Sequence, residues 1–356
     1  MALPASLSFP GRDAFRQQAL CYAVAALGGA LFFLIHTPLP WMLGALCAVA
    51  AAQLAGLPLA ASRRARNIAA LVLGCALGLN FTPAAAERLL RDVPLCLGAA
   101  LATILVGLLL MPVLAWLARI DRRTALLSSL PGGAADMALL AEGMGARPAI
   151  VAVLQLLRVV GVVVLVPSGL ALLGGLHSSR AAGGVGGALH WPGFLLLLAL
   201  GGVGVFVLTK ARLRNAWLLG GLVAALGFTA SDISLTGMPS WVTGTAQVLL
   251  GAQLGTQFER ATFLGGRRLL TVALLHVGLL TAGCALVGLL LAFTGRASPG
   301  VLVLATAPGG VAEMSITAQA MALDVPIVVA FHLVRIFLTA LLVQPICALF
   351  GRWGWI

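Results

Sequence analysis

Charge is what this chain has least of. Asp, Glu, Lys and Arg make up 9% of its 356 residues, against about 25% in soluble domains, which excludes an ordinary water-soluble fold. Acidic residues are the scarcest, 10 against 22 Lys and Arg. Cys21, Cys47, Cys75, Cys96, Cys284 and Cys347 fall in or beside apolar runs with no CxxC pair. They read as small buried hydrophobes, so neither a disulfide framework nor a thiolate metal site is expected. His36, His177, His190, His276 and His332 are scattered and assemble no metal ligand set. No cofactor and no catalytic group are expected, so the chain does not read as an enzyme. The basic excess sits in short clusters between apolar runs, with no soluble face to carry nucleic acid.

What the chain does have is apolar length: 61% hydrophobic residues and a mean hydropathy of +1.08. The expected fold is an all-α polytopic membrane protein whose first partner is the lipid bilayer. Apolar runs near 17–36, 41–59, 67–81, 94–118 and 149–173 are followed by others near 192–209, 216–230, 241–257, 269–294 and 327–349. The shorter ones are marginal against the ~20 residues needed to cross. This divides the chain into a cytoplasmic N-terminal segment 1–16, a first membrane repeat 17–173, a Gly/Ser-rich linker 174–190, a second repeat 191–350 and a C-terminal tail 351–356. Arg12 and Arg16 precede the first run without an evident cleavage site, so a retained first helix is expected.

Between the fourth and fifth runs of each set lies a stretch that occurs twice. The first copy is Leu130-Pro-Gly-Gly-Ala-Ala-Asp-Met137 and the second Ala307-Pro-Gly-Gly-Val-Ala-Glu-Met314. Pro131, Gly132, Gly133, Asp136 and Met137 thus return 177 positions later (131 to 308) as Pro308, Gly309, Gly310, Glu313 and Met314. The duplication extends outward: Trp41-Met-Leu-Gly-Ala-Leu46 matches Trp217-Leu-Leu-Gly-Gly-Leu222, and the run from Val72 to Gly78 matches Leu249 to Gly255. Gly74 with Gly78, and Gly251 with Gly255, form small-xxx-small faces suited to close helix approach.

Loop charge orients the halves. If each Pro-Gly-Gly stretch enters and leaves on one side, each half has five crossings and the second half is inverted. With the N-terminus inside, 16 of the 22 Lys and Arg are then cytoplasmic, four (Arg88, Arg91, Arg180, Arg296) are outside, and Arg158 and Arg335 lie within spans. Full crossing of those stretches would instead place Lys210, Arg212 and Arg214 outside. The positive-inside rule favours inverted repeats with re-entrant hairpins, although a broken helix and a hairpin look alike in sequence. Trp41, Trp191, Trp217 and Trp241 each open a run, and Trp353 and Trp355 close the chain, as interfacial anchors do.

Inverted repeats interrupted at matching places point to a transporter site at the bilayer midplane. Pro131, Gly132 and Gly133, with Pro308, Gly309 and Gly310, free backbone groups that must find partners or line a wet cavity. The restarting helices present positive dipole ends to the break. Asp136 and Glu313 either cap those helix starts or couple transport to H+ or Na+, since a carboxylate within the membrane is a functional candidate. Arg158 and Arg335 each follow a polar residue by three, Gln155 and His332, which shares a helical face. The expected arrangement is internal pairing of Arg158 with Asp136 and of Arg335 with Glu313. Ser128, Ser129, Ser315, Thr317, Gln319, Glu142 and Gln253 are secondary candidates.

These residues carry a resemblance. LPGGAADM followed by LQLLRVV, and APGGVAEM followed by FHLVRIF, over almost the whole chain, resemble the AbrB-type bacterial membrane protein family, whose members are often labelled ammonia monooxygenase or regulator. The family looks related in architecture to the cation/proton-antiporter and anion-transporter superfamily. The resemblance implies a bacterial inner-membrane protein, and the loop charges place both termini in the cytoplasm. The reading that fits the residues is a secondary transporter of a small solute, such as an organic anion, with proton or sodium coupling, and a homodimer through Gly-rich helices fits the same residues. The alternative is a membrane-embedded sensor that affects gene expression indirectly. A monooxygenase fits least, for want of clustered ligands.

Overall fold

Proline, glycine and the short basic clusters punctuate the apolar runs, and helices form between them. In a computed structural model, residues 12–37, 39–81, 83–174, 188–211, 213, 215–229, 231, 236–258 and 266–352 are described, without the side chains of residues 12, 83, 86, 89, 90, 134–136, 173 and 174. The described residues are helical, with no strand. The first half holds α1 (Arg12–Leu34), α2 (Pro40–Leu54), α3 (Arg63–Gly78), α4 (Pro83–Ala118), α5 (Arg122–Ser129), α6 (Ala134–Gly143) and α7 (Pro148–Gly174). The second holds α8 (Trp191–Lys210), α9 (Ala216–Thr229), α10 (Ser240–Gly255), α11 (Arg267–Ala292), α12 (Pro299–Thr306), α13 (Val311–Ala320) and α14 (Val325–Arg352). Most of the expected linker, Arg212, Arg214, Trp353 and Trp355 lie outside the described residues.

Six of these helices, α1, α4, α7, α8, α11 and α14, are long and apolar enough to cross a membrane. Five crossings per half were expected, and the four remaining helices of that scheme are shorter. α2, α3, α9 and α10 have 15, 16, 14 and 16 residues, about 21–24 Å at 1.5 Å per residue, short of a hydrocarbon core of about 30 Å. The run near 41–59 stops being helical at Leu54 because Gly56 turns the chain at φ +95° and Pro58 follows. Ser62 then starts α3, its hydroxyl accepting from Ala65 N.

The helices sort into two bundles, each built from both halves. In one, α1 packs on α2, α2 on α10, α10 on α3, α3 on α9 and α9 on α8. In the other, α4 packs on α11 and α14, α7 on α5, α6 and α11, and α14 on α12 and α13. Among the described helices, α3 against α13 is the strongest contact between the bundles. The pairings recur with the halves exchanged: α2 with α10 as α9 with α3, α4 with α14 as α11 with α7, and α1 with α2 as α8 with α9.

Without a hydrophobic drive inside lipid, close packing holds such helices together. A Cβ on Gly74 would strike the Leu218 carbonyl, and one on Gly78 would lie 2.6 Å from both the Ala225 Cβ and the Leu222 carbonyl. Gly251 and Gly255 are pressed in the same way against Met42, Ala45, Leu46 and Val49. Both glycine faces are therefore filled within the chain. Trp116, Leu172 and Phe293 point outward at 77%, 85% and 89% exposure, as side chains facing lipid tails do.

The first Pro-Gly-Gly stretch returns the chain to its starting point. Arg123 Nη1 donates to the Met144 carbonyl at 3.0 Å, Arg147 N donates to Thr124 Oγ1 at 3.0 Å, and Arg147 Nε lies 3.6 Å from Asp121 Oδ1. The start of α5 thus meets the end of α6, and the two helices form a hairpin with residues 130–133 at its tip.

Candidate functional site

A proline cannot donate to the carbonyl four residues before it. Leu127 O is orphaned by Pro131 in this way, and the chain beyond it is unwound. Side chains of α7 supply the missing donors. Gln155 Nε2 donates to Leu127 O at 2.6 Å and to Leu130 O at 3.0 Å. Arg158 Nη1 donates to Leu130 O at 2.9 Å and Nη2 to Gly132 O at 2.8 Å. The second copy repeats the clamp: Arg335 Nη1 donates to Ala307 O and Nη2 to Gly309 O.

This corrects the expected ion pair of Arg335 with Glu313. Arg335 makes no ion pair with Glu313 among the described residues; its guanidinium serves carbonyls of the break. Asp136 opens α6 by its backbone, and its side chain lies outside the described residues. Unwound peptide in a low-dielectric setting needs donors, and a planar guanidinium with five N–H groups reaches two carbonyls at once. Arg158 and Arg335 are 4% and 3% exposed, and each keeps a buried Nε without a partner.

The rest of the motif also closes on itself. Gly133 and Gly310 are extended, at φ −72° and −81°, so they are not needed for left-handed backbone. The requirement is space. Met137 and Met314, both 0% exposed, fold back over Gly132 and Gly309. The Glu313 carboxylate turns back over Gly310, where α13 begins.

Both tips line one cavity of about 540 Å³ between the two bundles. From the hairpin bundle come Pro131, Gly132, Gly133, Arg158, Gly309, Gly310, Glu313, Arg335 and Thr339. From the other bundle come Arg66, Asn67, Thr209, Asn215, Trp217, Gln253 and Gln257. Gln155 and His332, both 0% exposed, stand behind the arginines; His332 Nδ1 lies 2.9 Å from the Val328 carbonyl. Pro308 is buried in its tip. Of the secondary candidates only Gln253 reaches the cavity. Ser128 and Thr317 bond the Thr124 and Glu313 carbonyls of their own helices, as hydroxyls near a break do. Trp217, expected as an interfacial anchor, is instead half-buried on the cavity wall. Thr339 was missed by the sequence reading, although a hydroxyl four residues beyond Arg335 shares its helical face.

A second cavity, of about 300 Å³, lies at the other end of α3 and α13, lined by Asn80, Arg88, Asp324 and Pro326. Arg66 and Asn67 at the start of α3, and Val311 to Glu313 at the start of α13, belong to the large cavity. The α3–α13 contact therefore stands between the two.

A profile described as Transition state regulatory protein AbrB matches residues 41–351, from the start of α2 to the end of α14. The chain belongs to the AbrB family. It is 29% identical over 351 residues to "Uncharacterized protein YhjN" of Bacillus subtilis, covering 91% of this chain and 90% of that one. It is 26% identical over 324 residues to "Putative regulator AbrB" of Escherichia coli, covering 90% and 92%. Across that matched length, this AbrB-family chain carries a helical membrane architecture with both Pro-Gly-Gly tips on one cavity. Among the described residues no cluster of His, Cys, Asp and Glu could hold a metal ion.

Proposed function

We propose that this AbrB-family protein is a secondary transporter of a small solute, working by alternating access in the bacterial inner membrane. The observation that carries this reading is the cavity of about 540 Å³ between the bundles, lined by both hairpin tips and both buried arginines. Ligand sites at the meeting of two bodies and of two interrupted helices suit a moving barrier. The exchanged packing pairs support two inverted repeats, and the meeting ends of α5 and α6 support a re-entrant first hairpin. On the loop-charge rule, both termini are cytoplasmic and the cavity mouth at Arg66 and Asn215 faces the cytoplasm. Sliding of the bundles would break the α3–α13 contact and connect the site to the cavity at Arg88 and Asp324. Asp136 and Glu313 are the coupling candidates for H+ or Na+; no enzymatic step and no cofactor enter. A second copy, if one binds, must use faces other than the filled glycine stripes.

The test is solute flux in proteoliposomes across anions, amino acids and amines, with and without proton and sodium gradients. Wild type is compared with Asp136→Asn and Glu313→Gln. Gradient-driven flux lost in both variants is the expected result, and flux that ignores both carboxylates would reduce them to helix caps. The word regulator in the names of the matching family and of the Escherichia coli relative favours one other reading, a membrane sensor that binds at this site without moving its ligand. Saturable binding with no flux under any gradient would establish that reading instead.

A further inference from the structure

Charge and asymmetry narrow what the cavity can hold, given the transport site read above. Arg158 and Arg335 are both more than nine-tenths buried, both line the cavity, and each has a guanidinium Nε without a partner. Carbonyls take their Nη hydrogen bonds but bring no net negative charge to match the guanidinium, and a buried charge is favoured by a counter-charge. Glu313 is the only acidic side chain among the described lining residues, and its carboxylate is turned onto the start of its own helix over Gly310. Two separate cationic positions therefore face one space, one at each tip. The N-termini of α6 and α13, ten residues each, open beside them and add positive potential.

The exchange of halves fails at two places on the wall. Gln253 stands where the first half has Ala76, and Thr339 where it has Val162. Gln253 Oε1 and Thr339 Oγ1 are buried without hydrogen-bond partners, one on each bundle. Buried polar atoms are normally satisfied; the Thr339 hydroxyl awaits an acceptor that the protein does not supply, and no bond holds the Gln253 amide oxygen, so that amide can turn its N–H group to a ligand.

We propose that the cavity takes a small organic dianion of the dicarboxylate class, with one carboxylate at each Pro-Gly-Gly tip beside Arg158 and Arg335. The Thr339 hydroxyl and the Gln253 amide N–H group donate to one end of the molecule from opposite bundles and set its polarity in the site. A volume of about 540 Å³ falls within the ~300–1,000 Å³ usual for small-ligand sites.

The experiment is titration calorimetry and heat-induced unfolding on the purified full chain in detergent. The probes are four-carbon compounds that differ in charge: succinate, butyrate, 1,4-butanediol and 1,4-diaminobutane, with dicarboxylates from malonate to adipate as a length series. Saturable binding and stabilisation by at least one dicarboxylate, well above the other classes, is expected. Gln253→Ala and Thr339→Val copy the residues at the matching places of the first half, so both should fold with unchanged unfolding midpoints. Each should weaken dicarboxylate binding by about tenfold, the loss of one hydrogen bond to a charged group. Binding of no dicarboxylate, or preference for butyrate, the diol or the diamine, overturns the proposal, as do both wall variants binding like wild type. Dicarboxylate binding with no uptake into proteoliposomes would retain this assignment and sink transport. Uptake confined to cations or neutral solutes would do the reverse.

Discussion

Leu130 O is shared, and that sharing has a measurable consequence. It accepts from Gln155, from Arg158 and, at 2.8 Å, from Gly132 N, while Leu127 O depends on Gln155 alone and Gly132 O on Arg158 alone among the bonds formed. Gln155→Leu strands Leu127 O, which should destabilise by about 1–3 kcal/mol, the range for a buried group left unpaired. Arg158→Met strands Gly132 O but also removes a buried charge, and Gly132 lines the cavity where water can replace the lost donor. Its loss should lie near ~1 kcal/mol, the low end of that range. Only the double variant strips the buried Leu130 O of both side-chain donors and leaves it the Gly132 N–H alone. It should therefore exceed the sum of the single losses by ~0.5–1.5 kcal/mol, the net worth of one hydrogen bond. The assay is reversible unfolding in mixed micelles, followed by tryptophan fluorescence, for wild type, both single variants and the double. Additivity within about 0.5 kcal/mol would refute the shared clamp and leave Gln155 and Arg158 as independent contacts.

Other outcomes follow from the same geometry. Gly310→Ala places a Cβ on the Glu313 carboxylate and should displace it from the start of α13. Helix capping of this kind is worth about 0.5–2 kcal/mol, so an unfolding midpoint equal to wild type would show that the carboxylate does not cap. Gly251→Val drives a side chain into the Met42 carbonyl and Ala45 and should destabilise by at least ~1–3 kcal/mol; retained stability would mean that α2 and α10 are not in close contact. Cysteines introduced as Arg123→Cys and Arg147→Cys, in a background without the native six, should label from the same membrane face, and Arg88→Cys from the other. Labelling of positions 123 and 147 from opposite faces would replace the hairpin by a straight broken helix.

Much of the helix pattern was legible because proline, glycine and arginine mark its ends. Pro40, Pro83, Pro148 and Pro299 open helices, and the duplicated Pro-Gly-Gly tips were visible from residue identity alone. The role of Arg158 and Arg335 was not. Sequence spacing places a cation near a carboxylate, but it does not reveal that the unwound carbonyls on either side of each proline take the guanidinium N–H groups. Met137 and Met314 were visible as members of the repeat but without a role, since folding back over a glycine leaves no mark in hydropathy. The bundles were also hidden: the chain divides in sequence near residue 174, yet α2 belongs with α10 and α3 with α9. Only tertiary contact shows that the cavity wall opposite the tips comes from α3, α8, α9 and α10. Gln253 stood out because it breaks the repeat, and Thr339 could have been found by the same comparison.

The interleaving of the halves bears on how the protein is made. α2 and α3 emerge early and are too short to cross lipid unaided, yet their packing partners α9 and α10 are translated some 150–200 residues later. At about 5–20 residues per second, that leaves the ribosome-bound chain for roughly 10–40 s with α2 covered by α1 alone and α3 without its main partner. Insertion must therefore be completed backwards, the late helices fastening the early ones. Truncation anywhere before Gly255 should then yield a chain marked for membrane proteolysis, not a half-protein that folds.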